Sequence, residues 1–321
     1  MSRLSPRTFL ANRVAFLLVL MAIVMVVMSL LSPYFLNVDN LLGMTRFGAV
    51  LALIGIGQSL VILAGGAGID ISVGSIISLS GVLFGLMVKA DVPLALALPA
   101  CVVVGALLGA VNGVTVALWG MPPMIGTFST MWAYGALALV LTRGVPVSGF
   151  PEVFGFLGQG KILGIPAQTL LFVVPAYFLF HFMLSWTSFG RSIYLVGVND
   201  EAARFAGISP RKVRFALYTL SGALAGCGAL IMSSWLMAAR ADVGNGMELQ
   251  AITVAVLGGV NIFGGSGSLL GTLMAVMIVT MVQTGLQLAN INAIWQLALL
   301  GAILLGAVAL NQSVLRERVR R

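Results

Sequence analysis

Charge is what this sequence has least of. Asp, Glu, Lys and Arg together make up 8% of 321 residues, nine acids against seventeen bases. A soluble domain carries roughly 25%, so a water-facing surface cannot be built from this chain. Histidine occurs once, His181 inside PAYFLFHFML, and cysteine twice, Cys101 and Cys227, both in apolar runs. That scarcity leaves a His/Cys metal centre and a disulfide framework without support, and the lone intramembrane histidine reads as a helix-contact or interfacial residue. No catalytic constellation and no cofactor motif is present. GFLGQGK (155–161) begins like a phosphate-binding loop, but Ile162 stands where Ser or Thr is required and no strand–helix unit surrounds it. The chain therefore has no nucleotide site of its own. No span carries two acids at close spacing, which speaks against the carboxylate relay of a proton-driven transporter.

Long apolar runs are abundant: 60% of the residues are hydrophobic. A spanning helix needs about 20 apolar residues, and ten segments qualify, at roughly 14–31, 47–64, 71–89, 93–119, 123–141, 167–185, 213–237, 249–262, 268–288 and 293–310. The eighth is short enough to be re-entrant, and the third begins in a glycine-rich stretch that breaks it. The first is too long for a signal-peptide core and reads as a retained span. The expected fold is all-α and polytopic, a single membrane domain of about ten transmembrane helices. It divides into two inverted five-helix halves with broken or re-entrant helices, an arrangement common in transporters.

The bases cluster before the first span (Arg3, Arg7, Arg13), in the middle (Arg191, Arg204, Arg211, Lys212, Arg214) and at the end (Arg316, Arg318, Arg320, Arg321). Ten spans place all three clusters on one side, twelve bases against five elsewhere. The positive-inside rule makes that side cytoplasmic: an N-terminal tail over 1–13, a loop over 186–212 and a basic tail over 311–321. The same distribution argues against nucleic acid as a partner. Glycines four apart, at Gly105, Gly109 and Gly113, at Gly222 and Gly226, and at Gly267 and Gly271, let helix backbones approach closely, either as fixed packing or as a sliding interface.

Three segments carry polar groups where apolar sequence surrounds them. In AGGAGIDISVGSIISLSG (64–81), Asp70 is the only acid between Asp39 and Asp91. With Ser72 and Ser75 it shapes a translocation path or gate, or it caps the following helix, and the two roles are compatible. Asn112, Asp242, Glu248 and Asn261 join the candidate path or gate residues. In the loop 186–214, Asp200 is placed to N-cap a short helix over Glu201–Ala206, with Gly207 ending it and Ser209-Pro210 opening the next. A short exposed helix suits a groove on a soluble partner; the bland alternative is a linker anchored to lipid headgroups.

These segments resemble the permease subunits of ribose-type bacterial ABC importers, which serve pentoses, galactose, rhamnose and the autoinducer-2 signal. The matching pieces are GGAGIDISVGS (65–75), LGAVNG with PPMIGTFSTM (108–131), GRSIYLVGVNDEAARFAGI (190–208) and GMELQAITVAVLGGVNIFGGSGSLLGT (246–272). The likeness runs from about residue 35 to 310. Where the family usually has GGIDLSVG, an extra Ala67-Gly68 precedes Ile69-Asp70 here, which implies a longer turn.

The resemblance implies a bacterial inner-membrane permease that pairs with itself or a similar permease. It also implies a cytoplasmic ABC ATPase and a periplasmic or lipid-anchored substrate-binding protein as further partners. Asn199, Asp200, Glu201, Arg204, Gly207, Ser209 and Pro210 would form the segment that contacts the ATPase. The permease would itself be no enzyme. The competing reading is a stand-alone secondary transporter for a small polar solute.

Overall fold

The computed structural model describes residues 13–319. Residues 1–12 and the side chains beyond 309 lie outside what it describes, and the expected basic tails lie there too. The helices are α1 (Arg13–Leu31), α2 (Val38–Leu63), α3 (Val73–Lys89), α4 (Leu94–Gly113, prolonged by a π-helical turn at Val114–Leu118) and α5 (Pro123–Thr142). After a short excursion come α6 (Thr169–Trp186), α7 (Ser188–Val198), α8 (Asp200–Phe205), α9 (Pro210–Leu236), α10 (Met247–Leu257), α11 (Leu269–Leu288) and α12 (Ala293–Val319). Two-residue strand pairs, Val147–Ser148 with Ala238–Ala239 and Lys161–Ile162 with Ile165–Pro166, tie down the excursion and the segment after α9.

Among the described residues, α1, α2, α4, α5, α6, α9 and α11 are long and apolar enough to cross a membrane. The most apolar stretch of α2 is 89% buried within the chain, that of α1 only 11%. So α2, with α9 and α11, forms the core, while α1, α4, α5 and α6 turn apolar surface outward.

The expected spans differ from the helices at their ends, for local reasons. α2 starts nine residues before the expected 47, because Asn37 caps it by accepting the Asp39 N–H at 2.9 Å; Asp39 and Arg46 had hidden that turn from hydropathy. α9 starts at Pro210, whose missing N–H suits a first helical position. The eighth span, expected over 249–262, is an 11-residue helix that stops at Leu257. Gly259, Gly264 and Gly265 beyond it sit at positive φ, so apolar sequence there is loop. At 1.5 Å per residue α10 is about 16 Å long, half the hydrocarbon thickness.

The two halves correspond. α2, a break, α3, α4 and α5 are matched by α9, a break, α10, α11 and α12, and the contacts repeat: α4 packs on α9 as α11 packs on α2, and α3 on α5 as α10 on α12. The ladders of α4 and α9 are the seam between halves, whereas Gly271 packs on Gly258 within one half. A Cβ on Gly105 would strike the Gly222 carbonyl, one on Gly109 the Tyr218 carbonyl, and one on Gly222 the Gly105 carbonyl. No side chain fits there, so the backbones of α4 and α9 lie in direct contact, the packing expected where lipid removes the hydrophobic drive. Cys101, buried beside Gly226, is a small residue of the same seam.

Candidate functional site

The break between α2 and α3 turns the chain back into the bundle. Gly65, Gly66 and Ala67 have φ of 69°, 67° and 52°, three successive left-handed residues at the site of the additional Ala67-Gly68. The chain then delivers Asp70 to a position with no solvent exposure. Its Oδ1 accepts from the Ser72 N–H at 2.9 Å, the Ser72 hydroxyl at 2.7 Å and the Asn112 amide at 3.4 Å. Asn112 also donates to Ser72 Oγ at 2.6 Å and accepts from Thr130 at 2.6 Å. Thr127 accepts the Ile71 N–H at 3.2 Å. Gln58, with its amide oriented to donate to the Asp70 carbonyl at 3.0 Å and accept its N–H at 3.2 Å, clamps the same residue from α2.

The network thus joins α2, the break, α4 and α5. Asp70 is not the cap of α3: Ser72 holds the N-cap position, and the Asp70 carboxylate closes a turn two residues ahead of the helix. Asp70 Oδ2 has no partner among the described residues.

The second break brings Gly244 onto Gly74. A Cβ on either would collide with the other's carbonyl oxygen, and the Gly244 N–H donates to Ser78 Oγ at 3.0 Å. α3 and α10 therefore start side by side inside the bundle and run in opposite senses toward its two ends. Glu248 lies here, its Oε2 2.8 Å from where a Gly74 Cβ would sit. Other path candidates fall elsewhere. Ser75 is half-buried on α3 outside the Asp70 network. Asp242 sits on an exposed loop, paired with Arg240 at 2.8 Å, which holds its carboxyl below the usual carboxylate range. Asn261 is at the far end, where it shapes a turn by donating to Gly264 O at 3.0 Å and accepting from Phe263 N at 3.2 Å.

At that far end lies the segment from Ser188 to Pro210. Its short helix is capped by Asn199, which accepts from Glu201 N at 2.8 Å and Ala202 N at 3.1 Å. Asp200, expected as the cap, is the first helical residue instead, because its carboxylate is taken by Arg214. The two pair through parallel bonds of 2.8 and 2.7 Å. Arg214 also donates to Ala64 O at 3.3 and 3.1 Å, fastening α8 to the start of the α2–α3 break. Gly207, at φ 77°, ends α8, and Ser209 caps α9 with Pro210 following. Glu201 and Arg204 are exposed, and Phe205 is 94% exposed. Beside Arg214, Gly65, Gly197 and Gly264 pack backbone to backbone, so α2, α7 and the loop after α10 meet at one junction.

Toward the opposite end, α2, α9, α10 and α11 border an open cavity of about 190 Å³. Phe47 and Trp235 meet edge to face at 5.2 Å on its wall, and Gln250, Gln283, Gln287 and Thr280 line it. Sequence reasoning missed this site, along with Arg214, Phe205, Gln58 and Thr130. Gln283 and Gln287, four apart on α11, mark one polar helix face and were readable; Phe205 stood out as an aromatic in a hydrophilic stretch; the others depend on tertiary contact.

Residues 40–308 match the family described as branched-chain amino acid transport system / permease component. The autoinducer 2 import system permease protein of Enterobacter sp. (strain 638) is 36% identical over 311 residues, 95% of this chain and 94% of that protein. The ribose import permease protein of Bacillus subtilis (strain 168) is 37% identical over 292 residues, 90% of each chain. The corresponding protein of Escherichia coli (strain K12) is 36% identical over 303 residues, 92% of this chain and 91% of that one. No solved structure matches the chain.

Proposed function

Because this chain belongs to the branched-chain amino acid transport system permease-component family, we propose that it forms the translocation pathway of an ATP-binding-cassette importer for a monosaccharide or sugar-like signal. It is a multi-pass membrane permease, and its relatives named for ribose and autoinducer 2 cover nearly all of it. On this reading a cytoplasmic ATPase supplies the energy, a binding protein delivers the solute from outside, and a second permease, identical or similar, completes the assembly. Both termini and the Ser188–Pro210 segment face the cytoplasm, in keeping with the clustering of bases at that end.

The observation that carries the reading is the fastening of α8. Its exposed face, with Glu201, Arg204 and Phe205, is free to contact a soluble partner, while Arg214 ties Asp200 to Ala64 O at the start of the Asp70 break. Movement of α8 is thereby transmitted into the bundle. ATP bound by the partner would shift the permease between states through its differential affinity for them. Asp70, Ser72 and Asn112 act as the frame of the break, and the apposed starts of α3 and α10, with Glu248, as the narrow point of the path.

Reconstitution tests this. Proteoliposomes containing the permease, its ATPase and its binding protein should accumulate sugar only with ATP. Sugar uptake by the permease alone would sink the importer reading in favour of a secondary transporter.

A further inference from the structure

Three glutamines share one cavity, and none of their side-chain amides hydrogen-bonds another described residue. Gln250 on α10 and Gln283 and Gln287 on α11 line the 190 Å³ cavity with Thr280, whose buried Oγ1 is likewise unpartnered. Each amide offers two donors and an acceptor oxygen. Polar groups left unsatisfied in hydrocarbon are costly, so this face meets water or a polar ligand.

The lining has a second property: among the described residues, no Asp, Glu, Lys, Arg or His contributes to it. An amino-acid zwitterion would need groups for its ammonium and carboxylate, and no ionised side chain is there to provide them. A neutral ligand rich in hydroxyls needs what is present, because each hydroxyl both donates and accepts and an amide answers both. Trp235, with Phe47 against its edge, adds a flat apolar surface of the size of a sugar ring's C–H face.

We propose that this cavity is a sugar-contact site within the permease, in which Gln250, Gln283 and Gln287 take the hydroxyls of a neutral polyhydroxylated solute and Trp235 takes its apolar face. The proposal rests on the importer reading and deepens it. The cavity lies between the Gly74–Gly244 contact and the end of the bundle opposite α8, where a delivered solute would arrive before passing the narrow point.

The complete importer in proteoliposomes, supplied with radiolabelled D-ribose, tests it. The triple variant Gln250→Leu, Gln283→Leu, Gln287→Leu should lose at least tenfold in initial uptake while keeping the wild-type ATPase rate and the wild-type mass of the purified complex. Unchanged uptake overturns the site. Loss of ATPase activity or of complex mass together with uptake also overturns it, because the glutamines would then be holding subunits together. Uptake of L-leucine instead of D-ribose overturns the neutral-polyol ligand.

A second measurement is independent of the solute. In a chain carrying Cys101→Ala and Cys227→Ala, Gln283→Cys should react with a charged maleimide added from outside at a rate near that of an exposed control such as Asp242→Cys. An unreactive thiol overturns the site. Uptake without the ATPase would break the importer reading, whereas labelling and the glutamine dependence of that uptake would still support the cavity.

Discussion

Arg214 holds Asp200 through two parallel hydrogen bonds of 2.8 and 2.7 Å while its remaining donors reach the Ala64 carbonyl. Hydrogen bonds to charged groups are worth about 1.5–3 kcal/mol, and this pair is only partly exposed. Arg214→Ala should lower ATP-driven uptake by roughly tenfold or more with normal membrane insertion. Arg214→Lys, which keeps the charge but loses the fork, should recover part of it. Equal uptake by wild type and Arg214→Ala would show that α8 acts without this link.

The exposed face of α8 makes a separate prediction. Glu201→Lys combined with Arg204→Glu should abolish coupling while leaving the chain inserted, since both side chains lie in solvent. Phe205→Ala should weaken association with the ATPase, by about 2 kcal/mol or more if the ring is an anchoring contact. Pull-down of the ATPase and stimulation of its hydrolysis by the loaded binding protein read both. Undiminished stimulation in the double variant would remove α8 from the contact.

Asp70 and Asp91 differ in what they hold. Asp70 receives three donors in a fully buried setting, whereas Asp91 occupies an exposed turn between α3 and α4. Asp70→Leu leaves those donors unmatched, at about 1–3 kcal/mol for each buried group stranded, and should impair both yield and transport. Asp91→Leu should change neither by more than about twofold, as expected of a surface substitution. Comparable transport by the two variants would take the Asp70 network out of the mechanism.

The seam between α4 and α9 predicts a stability difference. Gly222→Val forces a side chain against the Gly105 carbonyl and the Gly109 backbone, and overpacking of this kind costs about 1–3 kcal/mol or more. Gly301→Ala meets nothing within 4 Å and should be silent. Thermal melts of the detergent-solubilised permease distinguish them; a shared melting temperature would mean the seam opens readily.

The spans were legible because hydropathy and length are local properties, and so was the break at Asp70, since glycines and an acid interrupt an apolar run. Ends were less legible. Leu257 to Ile262 is apolar enough to read as helix, yet Gly259 adopts φ 92° and the chain leaves the helix there. Asn199 and Asp200 are both good caps, and which one caps was decided by Arg214, fourteen residues further on. Asn112 meets Asp70 from α4 and is itself met by Thr130 from α5, while Trp235 and Gln250 come from two further helices to line one cavity with Gln283. Such meetings are fixed by tertiary packing and leave no trace in spacing along the chain. The path candidates scattered for the same reason: Asp70, Ser72 and Asn112 converge, whereas Asp242 and Asn261 lie toward opposite ends of the bundle.

The glycine ladders of α4 and α9 have a mechanical consequence. α4 belongs to one half of the chain and α9 to the other, and their backbones mesh with no side chains between them to rearrange. Tooth-in-notch contact of this kind resists both slip and tilt, so the halves are keyed together like two sides of a keel. Rocking one repeat against its mate, as many transporters do, would require the teeth to disengage. On the proposed coupling through α8, a keyed hull would leave the applied leverage to the thin parts it carries: the two breaks, and the short helices that begin there.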